Sequence, residues 1–440
     1  MQSFIIPGSI LAAISLGALG VPLAYAMGIV GIAAVMLTSN LDTALGLAGD
    51  TAFTSMREYL LVVIPLFDAM GFIVARSGAA EDIFAWVNKA MRKVPGKFAV
   101  ATVIGNAIFA TVTGIAAVAA VTFSRIAYPQ MRRYGYDARF AFGCVAGSSV
   151  LGLLLPPGIL LIIWALITEQ SVGRLFKGAI VPGIILAVAY SLYCIGRAVF
   201  DPKAAPSVLE PGVLAGADQV EGDKRSARIG ILGIVSLMLI VLGGIWGGFF
   251  TPTEASAFGL AGAVALGLAK GMTARQIIVT LLDSGKMTAP LLLLLISAQI
   301  FSRMLAYEGV TDSIEELVRT SNLGAGGTFI VMIVVWLVLG SMLDSISIML
   351  LTAPIFWPIA KSMGFDQVGF TIAAILFIEA GLLHPPFGTA VYLVKASISE
   401  KSVTLADGFW GTLPFCAILL GVAILVAVFP GIASWLAYTW

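Results

Sequence analysis

Apolar runs long enough to cross a bilayer as helices, about 17 to 25 residues each, fill most of the chain and alternate with short polar breaks. They fall near residues 4–19, 22–39, 59–76, 139–171, 178–199, 229–247, 254–270, 287–306, 368–400 and 408–430. None shows the alternating pattern, roughly ten residues at a time, that marks a strand of a membrane barrel. Inside hydrocarbon only helices and closed barrels pair every backbone group. The pattern therefore predicts an all-α polytopic membrane protein.

Two further apolar stretches, 98–127 and 327–357, are too long for one crossing, since each would reach roughly 45 Å as a straight helix against a core of about 30 Å. Each is expected to form a re-entrant helical hairpin. Lys89, Arg92, Lys93 and Lys97 precede the first, and Arg132, Arg133 and Arg139 follow it, which places both its ends on the cytoplasmic side. The second has only Arg319 before it and Lys361 after it, balanced by Asp366, so both its ends are expected outside. Hairpins entering from opposite sides are what two inverted-topology repeats produce.

Paired motifs then recur in register. A-R-S-G-A-A-E-D-I-F-A-W-V from Ala75 parallels A-Y-E-G-V-T-D-S-I-E-E-L-V from Ala306, and Y-P-Q-M-R-R-Y-G-Y-D ending at Asp137 parallels F-W-P-I-A-K-S-M-G-F-D ending at Asp366. G-L-L-L-P-P-G from Gly152 is answered by G-L-L-H-P-P-F-G from Gly381, and Q-S-V at Ser171 by K-S-V at Ser402. The division that follows is a first repeat at 1–200, with its hairpin at 98–127 and a broken helix at 139–171. A polar cytoplasmic linker at 201–228 leads to a second repeat at 229–440, with its hairpin at 327–357 and a broken helix at 368–400.

A double proline inside a span removes backbone donors and clashes with the preceding turn, leaving carbonyls unpaired where that is costly. Such a break is tolerated where it lines a cavity, and its free carbonyls and half-helix ends then suit a cation or an anionic substrate.

Composition narrows the function. The chain is 59% hydrophobic and 11% charged, with Lys plus Arg 25 against Asp plus Glu 24, so no basic patch suits nucleic acid. Cys144, Cys194 and Cys416 stand singly in apolar stretches and suggest neither a disulfide framework nor a metal cluster. No positive n-region precedes the first apolar run, and the first basic residue is Arg57, so that run is expected to be a permanent span. A single histidine, with no H-E-x-x-H helix and no facing acid pair, counts against an intramembrane protease. Thr251, Pro252 and Glu254 read as a capping box opening the next span. The charged, amphipathic stretches 80–92 and 308–319 are expected to lie along the membrane surface, and Trp435, Tyr438 and Trp440 fit an interfacial belt. Counting spans from the basic loops puts both termini outside, although Arg174 and Lys177 then fall on the outer side.

These motifs together resemble the large membrane subunit of the tripartite ATP-independent periplasmic (TRAP) transporters, within the ion transporter superfamily. The likeness runs through N-A-I-F-A-T-V-T-G from Asn106, P-x-M-R-R-Y-G-Y-D from Pro129, G-G-I-W-G-G-F-F-T-P-T-E-A from Gly243, G-S-M-L-D from Gly340, and both double-proline motifs. It implies a secondary importer of organic acid anions in a bacterial inner membrane, driven by sodium, with no ATPase; no Walker A motif is present. It implies a transport domain, built from hairpins and broken helices, that moves as an elevator against a scaffold of the remaining spans. It also implies a separate small four-helix membrane subunit and a periplasmic substrate-binding protein. No cofactor is implied beyond the coupling ion.

Carried over position by position, the resemblance places one cation site at Thr113, Gly114, Gly152 and Pro156. The family's Ser-rich tip is here reduced to Thr113, with Ile115, Ala116 and Ala119 in place of hydroxyls, so backbone carbonyls must supply most oxygens. A second site falls on Gly340, Asp344, Gly381, His384 and Gly388. His384 stands where the family usually has Thr, and its imidazole could carry a proton in place of a cation. Asp68 and Lys395 are the candidate substrate contacts, with snorkelling to the interface as the other reading of Lys395.

Overall fold

The computed structural model describes residues 2–206, 224–309, 320, 323–386 and 388–439, which hold helices and no strand. The chain opens with α1 (Gln2–Ala18), α2 (Leu23–Thr38), α3 (Leu41–Met56) and α4 (Val63–Arg76), followed by a short charged helix, α5 (Ala79–Ala90). A hairpin of α6 (Lys97–Thr113) and α7 (Ala116–Arg133) comes next. The first broken helix is α8 (Ala138–Ser149), a single turn α9 (Leu151–Leu154) and α10 (Ile159–Thr168), and α11 (Val172–Phe200) closes this part.

The second part starts with α12 (Lys224–Met238), which passes through a π-helical turn into α13 (Gly244–Trp246), then α14 (Pro252–Ala269) and α15 (Ala274–Tyr307). A second hairpin, α16 (Gly324–Gly340) and α17 (Ser345–Ser362), precedes a second broken helix, α18 (Gln367–Gly381) and α19 (Thr389–Ser397). α20 (Leu405–Val428) and α21 (Gly431–Thr439) end the chain. Among the described residues, seven helical stretches are long and apolar enough to cross a membrane. Residues 207–223 of the linker, and the arm at 308–319 beyond Gly309, lie outside the described residues.

Local chemistry sets the helix starts. Asp137 and Asp366, which end the paired motifs, both act as N-caps: Asp137 accepts from Phe140 N at 2.9 Å and Asp366 from Gly369 N at 2.6 Å. Thr251 and Glu254 form the full capping box. The last span before the second hairpin begins at Ala274 rather than near 287, because Thr273 and Gln276 build another capping box there. Its 34 residues therefore reach about 51 Å, and its polar first turns carry Asp283, which pairs with Arg76 at 2.8 Å. Likewise α11 begins at Val172, capped by Ser171. α3 escaped the apolar count because Asp42, Thr43, Asp50 and Thr51 interrupt it, and Asn40 caps it through Thr43 N at 2.8 Å.

Two packing groups emerge. α2 lies along α15, and α4 packs on α14 and α15. In the other group α8 packs on α20, α18 on α16 and α20, and α7 on α19, so hairpins and broken helices from both parts interlock. Glycines permit the closest approach: a Cβ on Gly143 would lie 2.0 Å from Gly411 O, and one on Gly411 would lie 2.0 Å from Arg139 O. Polar ties bridge the same two parts. Arg139 pairs with Asp407 at 2.7 Å, while Glu400, in the loop after α19, accepts from Arg132 at 2.9 Å and from the Tyr128 hydroxyl at 2.8 Å.

Gly411→Ala is expected to cost about 1–3 kcal/mol through overpacking. Gly421→Ala on the same helix, where nothing lies within 4 Å, should be neutral or stabilising by up to about 1 kcal/mol; thermal unfolding in detergent compares them. The Glu400 clamp predicts an acid dependence. Hydrogen bonds from Arg132 hold the Glu400 carboxyl at about 2, below its ordinary 4.5. A depressed carboxylate stabilises fully above its unfolded pKa and loses that contribution as pH falls through the folded one. The advantage of wild type over Glu400→Gln, of the order of 1 kcal/mol for a partly exposed pair, should hold down to pH 4.5 and vanish near pH 2.

Candidate functional site

The first candidate site forms where the tip of the α6–α7 hairpin meets the break between α9 and α10. α6 ends at Gly114 in the left-handed region, φ +64, and a Cβ there would lie 2.3 Å from Pro157 O. Both the backbone angle and the space demand glycine. The contact is also a hydrogen bond: Ile159 N, at the start of α10, donates to Gly114 O at 3.3 Å. Gly152 approaches the other side of the tip, where a Cβ would lie 3.0 Å from Ala116 N. Pro156 and Pro157 are joined by a cis peptide and form the break itself. Thr113 is buried, and its hydroxyl donates to Phe109 O at 3.0 Å while keeping acceptor lone pairs. Thr113, Gly114, Gly152 and Pro156 are thus brought to one place.

Beneath this tip Asn106, the first residue of its motif, meets Ser148 of α8, a pairing that the spacing does not reveal. Asn106 Nδ2 donates to Ser148 Oγ at 2.6 Å, and Asn106 Oδ1 is buried with no partner.

The second candidate site lies where α16 and α18 end against each other. A Cβ on Gly381 would sit 2.4 Å from Gly340 Cα, and one on Gly340 would sit 2.7 Å from Gly381 Cα. Two helix C-termini therefore meet, each carrying the negative end of its dipole. Asp344 caps α17, accepting from Ile346 N and Ser347 N at 3.1 Å each and from the Ser347 hydroxyl. His384 lies on the break; its backbone N–H reaches Gly381 O at 3.3 Å and its carbonyl accepts from Gly388 N at 3.2 Å. The His384 side chain is exposed. Gly388 opens α19 close to the Phe409 ring, 2.7 Å from an added Cβ.

Asp68 and Lys395 have other partners. Asp68 is buried on α4 and accepts from Thr288 of α15 at 2.6 Å, its other oxygen being unpartnered. One turn further, Gly71 packs on the first tip, where an added Cβ would lie 3.1 Å from Thr113. Lys395 donates to Glu400 O at 3.3 Å in the last turn of α19.

The structure adds residues that the motifs did not point to. Glu379 and Ser345 are buried side by side next to the second break, with no other hydrogen-bond partner for either carboxylate oxygen or the serine hydroxyl. Glu379 was legible as the one acid inside the apolar run of α18. A cavity of about 460 Å³ opens between the 54–61 segment, the end of α10 and α15, lined by Glu58, Glu169, Gln170, Gln299 and Arg303 among others. Its size lies in the range of small-molecule sites. Gln299 and Arg303 share one face of α15, four residues apart.

The family model described as "Tripartite ATP-independent periplasmic transporter, DctM component" matches residues 10–432. The C4-dicarboxylate TRAP transporter large permease protein DctM of Pseudomonas aeruginosa is 32% identical over 385 residues, 87% of each chain. The ectoine TRAP transporter large permease protein TeaC of Halomonas elongata is 28% identical over 388 residues, again 87% of each. Among solved structures, the YdaH transporter of Alcanivorax borkumensis superposes with a TM-score of 0.63 at 16% identity, covering 88% of this chain and 89% of that one, a likeness of fold.

The contact between tip and break can be separated from backbone strain alone. Gly271 has φ +89 and nothing within 4 Å, so Gly271→Ala should cost only the left-handed penalty of about 1–2 kcal/mol. Gly114→Ala should lower the unfolding midpoint further, because its Cβ must also push Pro157 away. Equal midpoints would mean that the tip does not need its seat on the break.

Proposed function

The chain belongs to the DctM component family of tripartite ATP-independent periplasmic transporters, and on that premise we propose that it is the large permease subunit of a sodium-coupled importer of organic acid anions. The observation that carries the reading is the seating of each hairpin end against a proline-broken helix through glycine backbones. Free carbonyls and half-helix ends at such places are suited to hold a small cation and to neutralise a carboxylate. The interlocked group of hairpins and broken helices is the transport domain. The group built on α2, α4, α14 and α15 is the scaffold, and the first moves against the second as an elevator between two inverted repeats.

The substrate class is kept broad because relatives in the same family are named for a C4-dicarboxylate and for ectoine. The cavity lined by Gln299 and Arg303 lies between the two groups and offers a guanidinium to a carboxylate. The partners are a small four-helix membrane subunit, which completes the scaffold, and a periplasmic protein that delivers substrate. The chain sits in a bacterial inner membrane with both termini on the periplasmic side. Proton coupling through His384 is the second reading, favoured by the position of that side chain on the break.

Uptake into vesicles holding the chain with its small subunit, supplied with binding protein and a C4-dicarboxylate or ectoine, is expected to require an inward sodium gradient. Replacing sodium by potassium should abolish it, and omitting the binding protein should do the same. Uptake that proceeds unchanged in potassium rejects sodium coupling. An unaltered pH profile in His384→Thr rejects the proton reading.

A further inference from the structure

We infer that Glu379 is the charged ligand of the cation site at the second break, with the Ser345 hydroxyl and the carbonyl ends of α16 and α18 as its neutral ligands. The inference deepens the sodium-coupled reading above and rests on it. Of the motif positions, Asp344 spends its oxygens on capping α17, and His384 lies exposed.

Glu379 is 1% exposed and Ser345 is 4% exposed. The Ser345 hydroxyl is the one hydrogen-bonding neighbour of the carboxyl, and no other partner meets the hydroxyl or either carboxylate oxygen. A buried carboxyl with a single hydroxyl neighbour is costly, because a buried polar group short of partners costs free energy and a buried charge costs more.

Among the described residues, the surroundings offer no protein cation. α16, α9 and α10 carry no ionisable residue. From α11 the group that faces Glu379 is Tyr190, whose hydroxyl is also buried and unpartnered. Arg174, Lys177 and Arg197 lie toward the ends of that helix. From α20 comes Cys416, whose thiol contacts Ala380 O at 3.7 Å, while Asp407 at its start is paired with Arg139. Lys361 stands at the far end of α17, and α21 has only Tyr438.

To this acid the backbone adds more negative potential. α16 ends at Gly340 and α18 at Gly381, two residues beyond Glu379, and the two glycines touch. The charge missing from the cluster is positive, and the donors are all oxygens, the set a hard ion such as sodium prefers. The first break lacks this feature, since the residue two before Gly152 is Val150.

Glutamine keeps the shape of Glu379 and removes only its charge, so Glu379→Gln separates a ligand from a neutral buried acid. Thermal unfolding of the purified full-length chain is followed while sodium chloride replaces potassium chloride at constant ionic strength. Wild type is expected to show a saturable, sodium-specific rise. In Glu379→Gln the half-saturating sodium concentration should increase more than about tenfold, since loss of even an outer-sphere partner commonly costs 10–100-fold in metal affinity. Ser345→Ala should raise it less. A sodium response in Glu379→Gln equal to wild type overturns the assignment and leaves sodium coupling standing. No response in wild type overturns both. Should Glu379→Gln fail to fold, an unchanged half-saturation in Ser345→Ala overturns the site as drawn.

Discussion

Backbone that leaves a helix at membrane depth must still find partners, and this requirement organises the molecule. The two breaks meet it differently. At the first, the start of α10 borrows a carbonyl from the opposite hairpin, through Ile159 N and Gly114 O. At the second, the loop closes on itself: Ala390 N bonds Leu382 O at 3.3 Å and Gly388 N bonds His384 O at 3.2 Å. The first break therefore depends on its hairpin for a hydrogen bond, whereas the second uses its hairpin for close helix-end contact. Glycine is required in both cases because the approach is between backbones.

The same constraint explains why the two parts of the chain interlock. A broken helix cannot be left facing lipid, so each must be wrapped by neighbours, and α8 is wrapped by α20 from the other part. At Gly143 and Gly411 an added Cβ would lie 2.0 Å from a carbonyl oxygen of the facing helix, so this contact is made backbone to backbone. The Arg132–Glu400 and Arg139–Asp407 pairs pin the same body at one end. Between the groups, a Cβ added at Gly71 would lie 3.1 Å from Thr113, a less crowded contact. Under an elevator mechanism motion is expected at the looser seam, and a glycine facing a hairpin tip leaves that seam smooth.

How much of this could be read from the chain depends on the range of the interaction concerned. Caps are local, so Asp137, Asp366 and the Thr251 and Glu254 box were legible, and the Thr273 and Gln276 box that lengthens α15 was equally available. The 59% hydrophobic composition and run lengths announced helices in a membrane. Tertiary juxtapositions were not legible: nothing in the spacing says that Cys144 and Cys194 lie 3.8 Å apart as free thiols, or that Asp68 would meet Thr288. His384 stands on the break where the family usually has Thr, yet sequence position does not say that its side chain is exposed there. Glu379 was the better signal, because an acid within an apolar run has an energetic cost wherever the helix goes.

The difference between the breaks follows from where that cost falls. Under the proposed reading, a cation held mostly by backbone carbonyls at the first tip would gain from helix dipoles but leave a net charge to be hosted in a low dielectric. A cation held beside Glu379 would form a neutral pair in place of a carboxyl proton, so that site would host the ion without a net buried charge. Filling the second site would therefore favour the packed arrangement in which Gly340 meets Gly381, whereas the first tip is already anchored by its hydrogen bond to α10. Ion occupancy would then be registered chiefly at the second hairpin. An energetic asymmetry of this kind can arise within inverted repeats from a single side chain, with Glu379 in one and Val150 in the other.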